Sequence, residues 1–355
     1  MGRRIGNIFK FGLSLCLAGG IITSASAQVE KHKIPKPPKV KVEAPETPEP
    51  AEKPYPRPTP DRLPRDERFT SEKAMPVESN VYVKLCVSEG TLKITGSERN
   101  EVRVFVRDGR KFVTKVLEKN PDTGKPIGVW IANATSTEGR PGPMSECLAG
   151  QSVEIDVPMN ASINLSGRAT GATLDSVKKV SVKIVEGSIV LRNISGGISA
   201  VALQGDVMVE SSAGAIAVET TTGNVLAFDV SPGQVGDLFK ARTNSGTISL
   251  QKVNHRQIEA NSISGSVNFN GKFLMGGIYT FKTTNGSIRM LLPQDTSCNV
   301  KASYGFGTFN SALPMKVIYE TVSPGGKNLS ATIGAGEATV NLTTSSGSIG
   351  IRKQN

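Results

Sequence analysis

The chain has 355 residues, of which 37% are hydrophobic and 5% aromatic, and it contains 37 glycines and 21 prolines. This composition argues against a wide core packed with aromatic side chains. The formal net charge is +11, but once the +3 of residues 1–27 and the +1 of residues 28–78 are set aside, the other 277 residues carry only +7. So mild an excess is not the basic stripe of a nucleic-acid-binding protein, and we expect no nucleic-acid partner.

Residues 1–27 have the pattern of a secretory signal peptide. Basic residues precede an apolar run from Phe11 to Ile22, and Ala25-Ser26-Ala27 provides the small residues of a cleavage site. The run is shorter than the about 20 apolar residues that a membrane-spanning helix needs, so we expect cleavage and no stable transmembrane anchor afterwards. The protein is therefore predicted to be exported, to the periplasm or to the cell surface and extracellular space.

Residues 28–78 are predicted to be a proline-rich linker, because they hold 12 of the 21 prolines. Proline fixes its own backbone and pushes the preceding residue toward extended geometry, so no packed core can form there. We expect a disordered, semi-rigid spacer that acts as a solvated tether. Binding of an anionic cell-wall polymer or of a proline-recognising module are the alternatives. The folded domain is predicted to occupy residues 79–355.

A repeated pattern around glycine predicts the fold of this domain. Apolar residues recur two and four positions after a glycine, as Ile248 and Leu250 do after Gly246, and five and seven positions before it. A spacing of two is the period of a β-strand, so each glycine is placed at a corner between two short strands that share one interior. Glycine suits the corner because it can adopt positive φ. The predicted turn glycines are Gly187, Gly205, Gly223, Gly246, Gly265, Gly286 and Gly347.

Two all-β architectures compete for this pattern. A β-sandwich also shows alternation, but it joins facing sheets by hairpins, whereas a corner that recurs every 18 to 23 residues favours coils stacked through parallel backbone hydrogen bonds. We therefore predict a single-stranded, right-handed β-solenoid of about ten coils. Insertions into the coil are expected as loops, with candidates at 118–150, 229–238 and 312–335.

The corners share the pattern Thr/Ser-x-Ser/Asn-Gly-polar-Ile/Val, which is seen at Thr243–Ile248, Thr283–Ile288 and Thr344–Ile349. This pattern resembles that of the bacterial putative-adhesin family, a domain family of unknown function, over roughly residues 79 to 355. The resemblance implies a β-solenoid and a role in adhesion. The chain departs from the family by its long proline-rich spacer and by Ser, Thr or Asn where many members have aspartate after the corner glycine.

Paired carboxylates, which a glycosidase or a calcium site would need, are not predicted in this domain. The positions after the corner glycines form one predicted column with a single acid; they are Ser188, Asp206, Asn224, Thr247, Ser266, Ser287, Thr308 and Ser348. The four cysteines have no zinc or iron–sulfur spacing, and no cofactor is expected. We predict a protein that is not an enzyme, with a polysaccharide-acting β-helix enzyme as the alternative.

Several single residues have a functional and a structural interpretation. His255 is expected on a solvated surface turn. Trp130 is expected in the core or as a loop anchor, with a sugar-stacking platform as the alternative. Outward-facing basic residues either line one face and attract an anionic glycan or cell-wall polymer, or merely solvate the sheet; they are Lys240, Arg242, Lys282, Arg289 and Lys301.

The chain after the predicted cleavage site keeps three cysteines. Cys86 is out of phase with the apolar positions of its strand, so it points away from the interior, whereas Cys298 is in phase with Val300 and points inward. In an oxidising compartment this predicts a structural disulfide between Cys86 and Cys147 and a buried thiol at Cys298.

These features together predict an exported, non-catalytic envelope or surface protein that serves in adhesion or scaffolding through a rigid β-solenoid and binds an unidentified surface ligand. A polysaccharide-acting enzyme and a cell-wall polymer-binding module, with its affinity in the tether, remain the alternatives.

Overall fold

The computed structural model describes residues 69–134, 146–234 and 236–354. The predicted signal peptide and the predicted linker as far as residue 68 lie outside them, and among the described residues no helix is long and apolar enough to cross a membrane. The strands are β1 Phe69–Pro76, β2 Tyr82–Ser97, β3 Glu101–Gly109, β4 Phe112–Lys119, β5 Pro126–Asn133, β6 Leu148–Pro158, β7 Ser162–Asp175, β8 Lys179–Glu186, β9 Ile189–Arg192, β10 Ile198–Gln204, β11 Val207–Glu210, β12 Ile216–Thr222, β13 Val225–Val230, β14 Leu238–Ser245, β15 Ile248–Val253, β16 Gln257–Ser264, β17 Val267–Asn270, β18 Ile278–Asn285, β19 Ile288–Leu292, β20 Cys298–Phe306, β21 Phe309–Ser311, β22 Lys316–Ser323, β23 Gly326–Ile333, β24 Ala338–Ser346 and β25 Ile349–Lys353.

Most of these strands form a β-solenoid in which each coil gives one strand to each of two sheets. Sheet A contains the first halves of β2 and β7 and then β8, β10, β12, β14, β16 and β18 in parallel register. Sheet B contains the second halves of β2 and β7 and then β9, β11, β13, β15, β17 and β19, again in parallel. The predicted all-β solenoid is confirmed.

The core lies between the two sheets and follows the period-two pattern of the sequence. In β14 the side chains of Phe239, Ala241 and Thr243 are buried, while those between them face outward. Small aliphatic residues fill most coils, and the larger rings are concentrated where Phe269 contacts Phe281 at 5.2 Å between centroids. Alternate burial along every coil gives the solenoid one continuous apolar interior.

The corner between the two sheets is built from glycine and a hydroxyl. A Cβ on Gly246 would lie 1.9 Å from the carbonyl oxygen of Gly223 in the preceding coil, so only glycine allows the coils to stack so closely. The buried Thr243, three positions before Gly246, donates its hydroxyl hydrogen bond to that same carbonyl oxygen at 2.9 Å. The Thr and Gly of the corner motif therefore act together on one backbone group.

Antiparallel strands extend the solenoid beyond β2 at its N-terminal end. β6 pairs with β2 in parallel, and β3 and β1 continue sheet B in antiparallel order. β5 and β4 extend sheet A in the same way. The prediction of a loop over 118–150 is thus wrong for Pro126–Asn133, which pairs with β2 because its alternate residues, such as Val129 and Ile131, enter the core. β1 likewise lies before the domain boundary expected at residue 79.

The C-terminal end departs from the order of the chain. β24 and β25 lie between the coil of β18 and β19 and the coil of β20 and β21, with parallel pairing on both sides. β23 then pairs antiparallel with β20, and β22 pairs with β23. The prediction of a loop over 312–335 is therefore wrong, because Lys316–Ser323 and Gly326–Ile333 form a hairpin that caps sheet A.

The cysteines lie as predicted. Cys86 and Cys147 form a disulfide whose Cα atoms are 4.4 Å apart, and it ties β2 to the segment that enters β6. Cys298 is a buried free thiol. Burial raises the pKa of Cys298 to about 11, so the thiol stays protonated and unreactive at neutral pH.

Candidate functional site

A polar groove lies where the strands of sheet B end, on the side of the coil opposite the glycine corner. It has a volume of about 540 Å³. Because carboxyl ends of parallel strands meet at one edge, β15, β17, β19 and β25 bring four separate segments to this place. We call it groove B; its lining residues are Gln251, Lys252, Asn254, Asn270, Gly271, Lys272, Leu291, Pro293 and Gln354.

Gln354 fixes the floor of groove B. Its backbone N–H donates to the carbonyl of Leu292 at 2.8 Å, which continues the ladder beyond β25. Its side-chain amide donates to Asn270 Oδ1 at 2.8 Å and to the carbonyl of Leu291 at 3.1 Å. The C-terminal segment thereby holds the side-chain amide of Asn270 in place, so these amides are pre-positioned for hydrogen bonding to a ligand.

The charge of groove B is positive. Two of its lining residues, Lys252 and Lys272, are basic and exposed, and none of its lining residues is acidic. Lys252 Nζ lies 5.5 Å from the ring centroid of the exposed Phe228, which stands opposite Gln251 in the next coil. An aromatic ring, two ammonium groups and several amides can bind a sugar ring and its negative charge together.

The basic residues that the sequence predicted for one face lie on two sheets. Lys240, Arg242, Lys282 and Lys301 project from sheet A and Arg289 from sheet B, so the five residues do not all line one face, contrary to the first of the two interpretations offered. On sheet A the charges are interrupted by acids. Lys240 is paired with Glu259 at 3.8 Å. These residues therefore resemble a mixed, solvated surface more than a binding site.

Trp130 is not in the core, which corrects that part of the prediction. It lies on the outer surface of sheet A, half-buried, directly across from Lys84 and Lys115. Their ammonium nitrogens are 5.9 Å and 4.9 Å from its ring centroid. Val129 and Ile131, on either side in sequence, take the inward positions, which leaves Trp130 in the outward phase.

His255 is buried, so its expected place on a solvated turn is wrong. Its side chain is fully excluded from solvent, its Nε2–H donates to the carbonyl of Gly214 at 2.8 Å, and its ring packs against Phe239 at 5.9 Å. Nδ1 is buried without a hydrogen-bond partner among the described residues. Burial lowers the pKa of His255, since a charged imidazole would lose its hydration there.

The column after the corner glycines is a hydrogen-bonded ladder. The carboxylate of Asp206 accepts from the backbone N–H of Asn224 at 2.7 Å, and Asn224 Oδ1 accepts from the N–H of Thr247 at 2.9 Å. No group of three or more His, Cys, Asp or Glu side chains suited to a metal ion occurs in the described ranges. The column therefore supports the turn.

Sequence reasoning missed groove B. Its residues Lys252, Lys272 and Gln354 belong to three separate segments of the chain. Aligning the residues six and seven positions after each corner glycine would have placed Lys252 and Lys272 on one edge. The same alignment puts Gln354, seven positions after Gly347, on that edge, but it does not place Gln354 beside Asn270 and Leu291, because that depends on where the last coil inserts.

A protein-family model matches part of the solenoid. The family model Toastrack DUF4097 matches residues 237–352, which span the corners from Gly246 to Gly347. The resemblance predicted from the corner motif is thereby confirmed for this segment. No curated protein matches the chain.

Two solved structures are similar to the chain. One is a putative cell adhesion protein from Clostridium sporogenes, at 12% identity and a TM-score of 0.19, with 81% of this chain and 100% of that chain covered. The other is a putative adhesin from Bacteroides fragilis, at 12% identity and a TM-score of 0.32, with 81% of this chain and 98% of that chain covered.

Proposed function

Taking residues 237–352 as a member of the Toastrack family, we propose that the protein is an exported, non-catalytic envelope or surface protein that serves in adhesion or scaffolding by binding an anionic glycan in groove B. The observation that carries this proposal is the lining of the groove, which combines two lysines and four side-chain amides and contains no carboxylate.

The chemistry of the lining supports a glycan that carries negative charge. Asparagine and glutamine side chains both donate and accept hydrogen bonds, as the hydroxyls of a sugar require. Lys252 and Lys272 would pair with carboxylate or phosphate groups, and Phe228 offers an exposed apolar ring beside them. Because the groove stands on hydrogen-bonded strand ends, little order has to be created on binding.

Export is supported by the chemistry of the cysteines and by the signal pattern. Disulfides persist in oxidising compartments and are rare in the cytosol, so the Cys86–Cys147 bond fits a secreted chain. The basic start, apolar run and small-residue site of residues 1–27 agree with this.

The test measures binding of the full protein to a polyuronate, a glycerol-phosphate polymer and a neutral glucan. Changing both Lys252 and Lys272 to Gln should weaken binding of the anionic polymer by about tenfold or more, since each charged hydrogen bond contributes about 1.5 kcal/mol or more. Added salt should weaken wild-type binding in the same direction. The matched control changes Lys183 and Lys282 to Gln, which removes the same charge from the exposed surface of sheet A.

Three outcomes would contradict the proposal. Equal loss of binding in the control pair would show that only overall charge matters. Loss of binding on deleting residues 28–68, with groove B intact, would move the affinity to the tether. Shortening of the polyuronate by the purified protein would favour the enzyme alternative.

A further inference from the structure

Sheet A has a free edge at each end. β22 pairs only with β23, and β4 pairs only with β5, among the strands that the structure describes. All eight residues of β22 are exposed, with Val322 at 73% and Ile318 at 61%, and the second half of β4 is exposed as well, with Leu117 at 51%. A free edge with apolar side chains is a template for pairing with another chain.

We propose that these two edges pair with each other between copies of the protein, β22 of one copy with β4 of the next, so that the solenoids assemble head to tail. The strand directions allow this. β22 runs in the direction of the coil strands, because β23 is antiparallel to β20 and β22 is antiparallel to β23. β4 runs in the opposite direction, because its partner β5 is parallel to β2. Two copies that point the same way therefore present β22 and β4 as an antiparallel pair.

One register gives complementary pairs along the whole edge. With Lys316 opposite Glu118 of the next copy, Tyr319 falls opposite its Lys115, and Val322 falls opposite its Phe112. The first pair is oppositely charged, the second is cationic and aromatic, and the third is apolar. Neither Lys316 nor Glu118 forms an ion pair with another described residue.

The irregularities of the two strands also coincide in this register. β22 has a register shift between Val317 and Tyr319, and β4 has a matching one between Val116 and Glu118; a second shift in β4, between Glu118 and Lys119, lies where the proposed pairing ends. Each bulge exchanges the inward and outward sides of its strand. Because the bulges lie opposite each other, each residue before and after them meets a residue that points to the same side of the sheet. A slip of one residue would oppose the two faces.

Sheet B leaves room for the contact. At the N-terminal end sheet B extends three strands beyond β2 and sheet A extends two. At the C-terminal end sheet A extends two strands beyond β20, and sheet B ends at β21. Joining β22 to β4 thus places four strands between β20 of one copy and β2 of the next in sheet A. In sheet B only three strands lie between β21 of one copy and β2 of the next, which leaves a space of about one strand, ~4.8 Å. The contact is heterologous, so it builds an open filament.

The experiment uses charge exchange in the full chain. Sedimentation velocity and electron microscopy should show concentration-dependent linear assemblies of the wild type. Lys316→Glu alone and Glu118→Lys alone should each abolish them, and the double variant, in which the charges are exchanged, should restore them. Circular dichroism of the three variants should match the wild type, since both side chains are exposed.

A cross-linking arm separates this contact from other kinds of self-association. Thr321 and Val113 are opposite each other in the proposed register, so Thr321→Cys and Val113→Cys proteins should form a disulfide when mixed and oxidised, and neither should do so alone. The buried Cys298 does not compete. A cross-link in Thr321→Cys alone, failure of the exchanged pair to restore assembly, or a wild type that stays monomeric at every concentration would overturn the proposal.

Discussion

A corner glycine is required by the neighbouring coil as much as by its own backbone. At Gly246 the backbone has φ of +153°, and a Cβ would lie 1.9 Å from the carbonyl oxygen of Gly223. The φ of Gly286 lies outside the range of +20° to +160° in which the other predicted turn glycines fall, yet a Cβ there would lie 2.1 Å from the carbonyl oxygen of Gly265. Close approach of the coils is therefore the feature that all these glycines share.

Gly246→Ala should lower the free energy of unfolding by about 2–3 kcal/mol, because the added methyl must push apart two hydrogen-bonded coils. The matched control is Gly350→Ala in β25, where a Cβ would meet nothing within 4 Å; it should change stability by no more than about 0.5 kcal/mol. Denaturant unfolding of the two variants measures the difference. Equal stabilities would contradict the stacking argument.

The buried His255 makes stability depend on pH. Its pKa in the folded state is lowered below the value of about 6.5 that it has in the unfolded chain, so below that pH the unfolded chain binds a proton that the folded protein does not. Stability should be constant above pH 6.5 and fall below it, by at most about 1.4 kcal/mol at pH 5.5.

Denaturant unfolding of the wild type and of His255→Leu at pH 7.0 and 5.5 measures this effect. The variant lacks the titrating group, so its stability should change less between the two pH values than that of the wild type. The other histidine, His32, lies outside the described residues and is present in both proteins. An identical pH dependence in the two would show that His255 is not responsible.

The strands inside the solenoid can be predicted well from the sequence, whereas the strands at its two ends cannot. Within the coil, alternation and corner glycines lie close together in the chain, so strands such as β14 and β15 follow from local periodicity. All eight residues of β22 are exposed, so β22 shows no alternation of buried and exposed side chains that a sequence pattern could reveal. Only its backbone bonds to β23, and through β23 to β20, make it a strand.

The misplacement of His255 and the failure to find Gln354 have the same physical cause. His255 was placed on the surface because its flanking residues, Asn254 and Arg256, are polar, but its acceptor, Gly214, is 41 residues away. Gln354 reaches groove B because β25 pairs with β19, 61 positions apart in the chain at Ile288 and Ile349. Contacts across such separations depend on which coils are neighbours, and a one-coil repeat does not specify this.

The coil that comes last in the sequence is not the last coil along the solenoid. β24 and β25 have parallel partners on both sides, whereas the coil of β20 and β21 lies outside them and carries the hairpin. In a repeat protein each unit is stabilised by its neighbours. The C-terminal strands should therefore stabilise residues that precede them in the chain by 40 positions, in β20 and β21, and by 61 positions, in β18 and β19.

Deleting residues 338–355 tests this order. In a solenoid stacked in chain order the deletion would fray only the new end, but here it removes the parallel partner of β20, so the amides of β20 and β23 should exchange with solvent about tenfold faster or more. Amides of β9 to β13, several coils away, provide the internal control and should keep their protection. Hydrogen exchange read by mass spectrometry measures both regions in one sample. Unchanged protection of β20 would contradict the prediction. It would mean that β20 had paired with β18 in the shortened protein, so that the inserted coil is not needed to hold the cap.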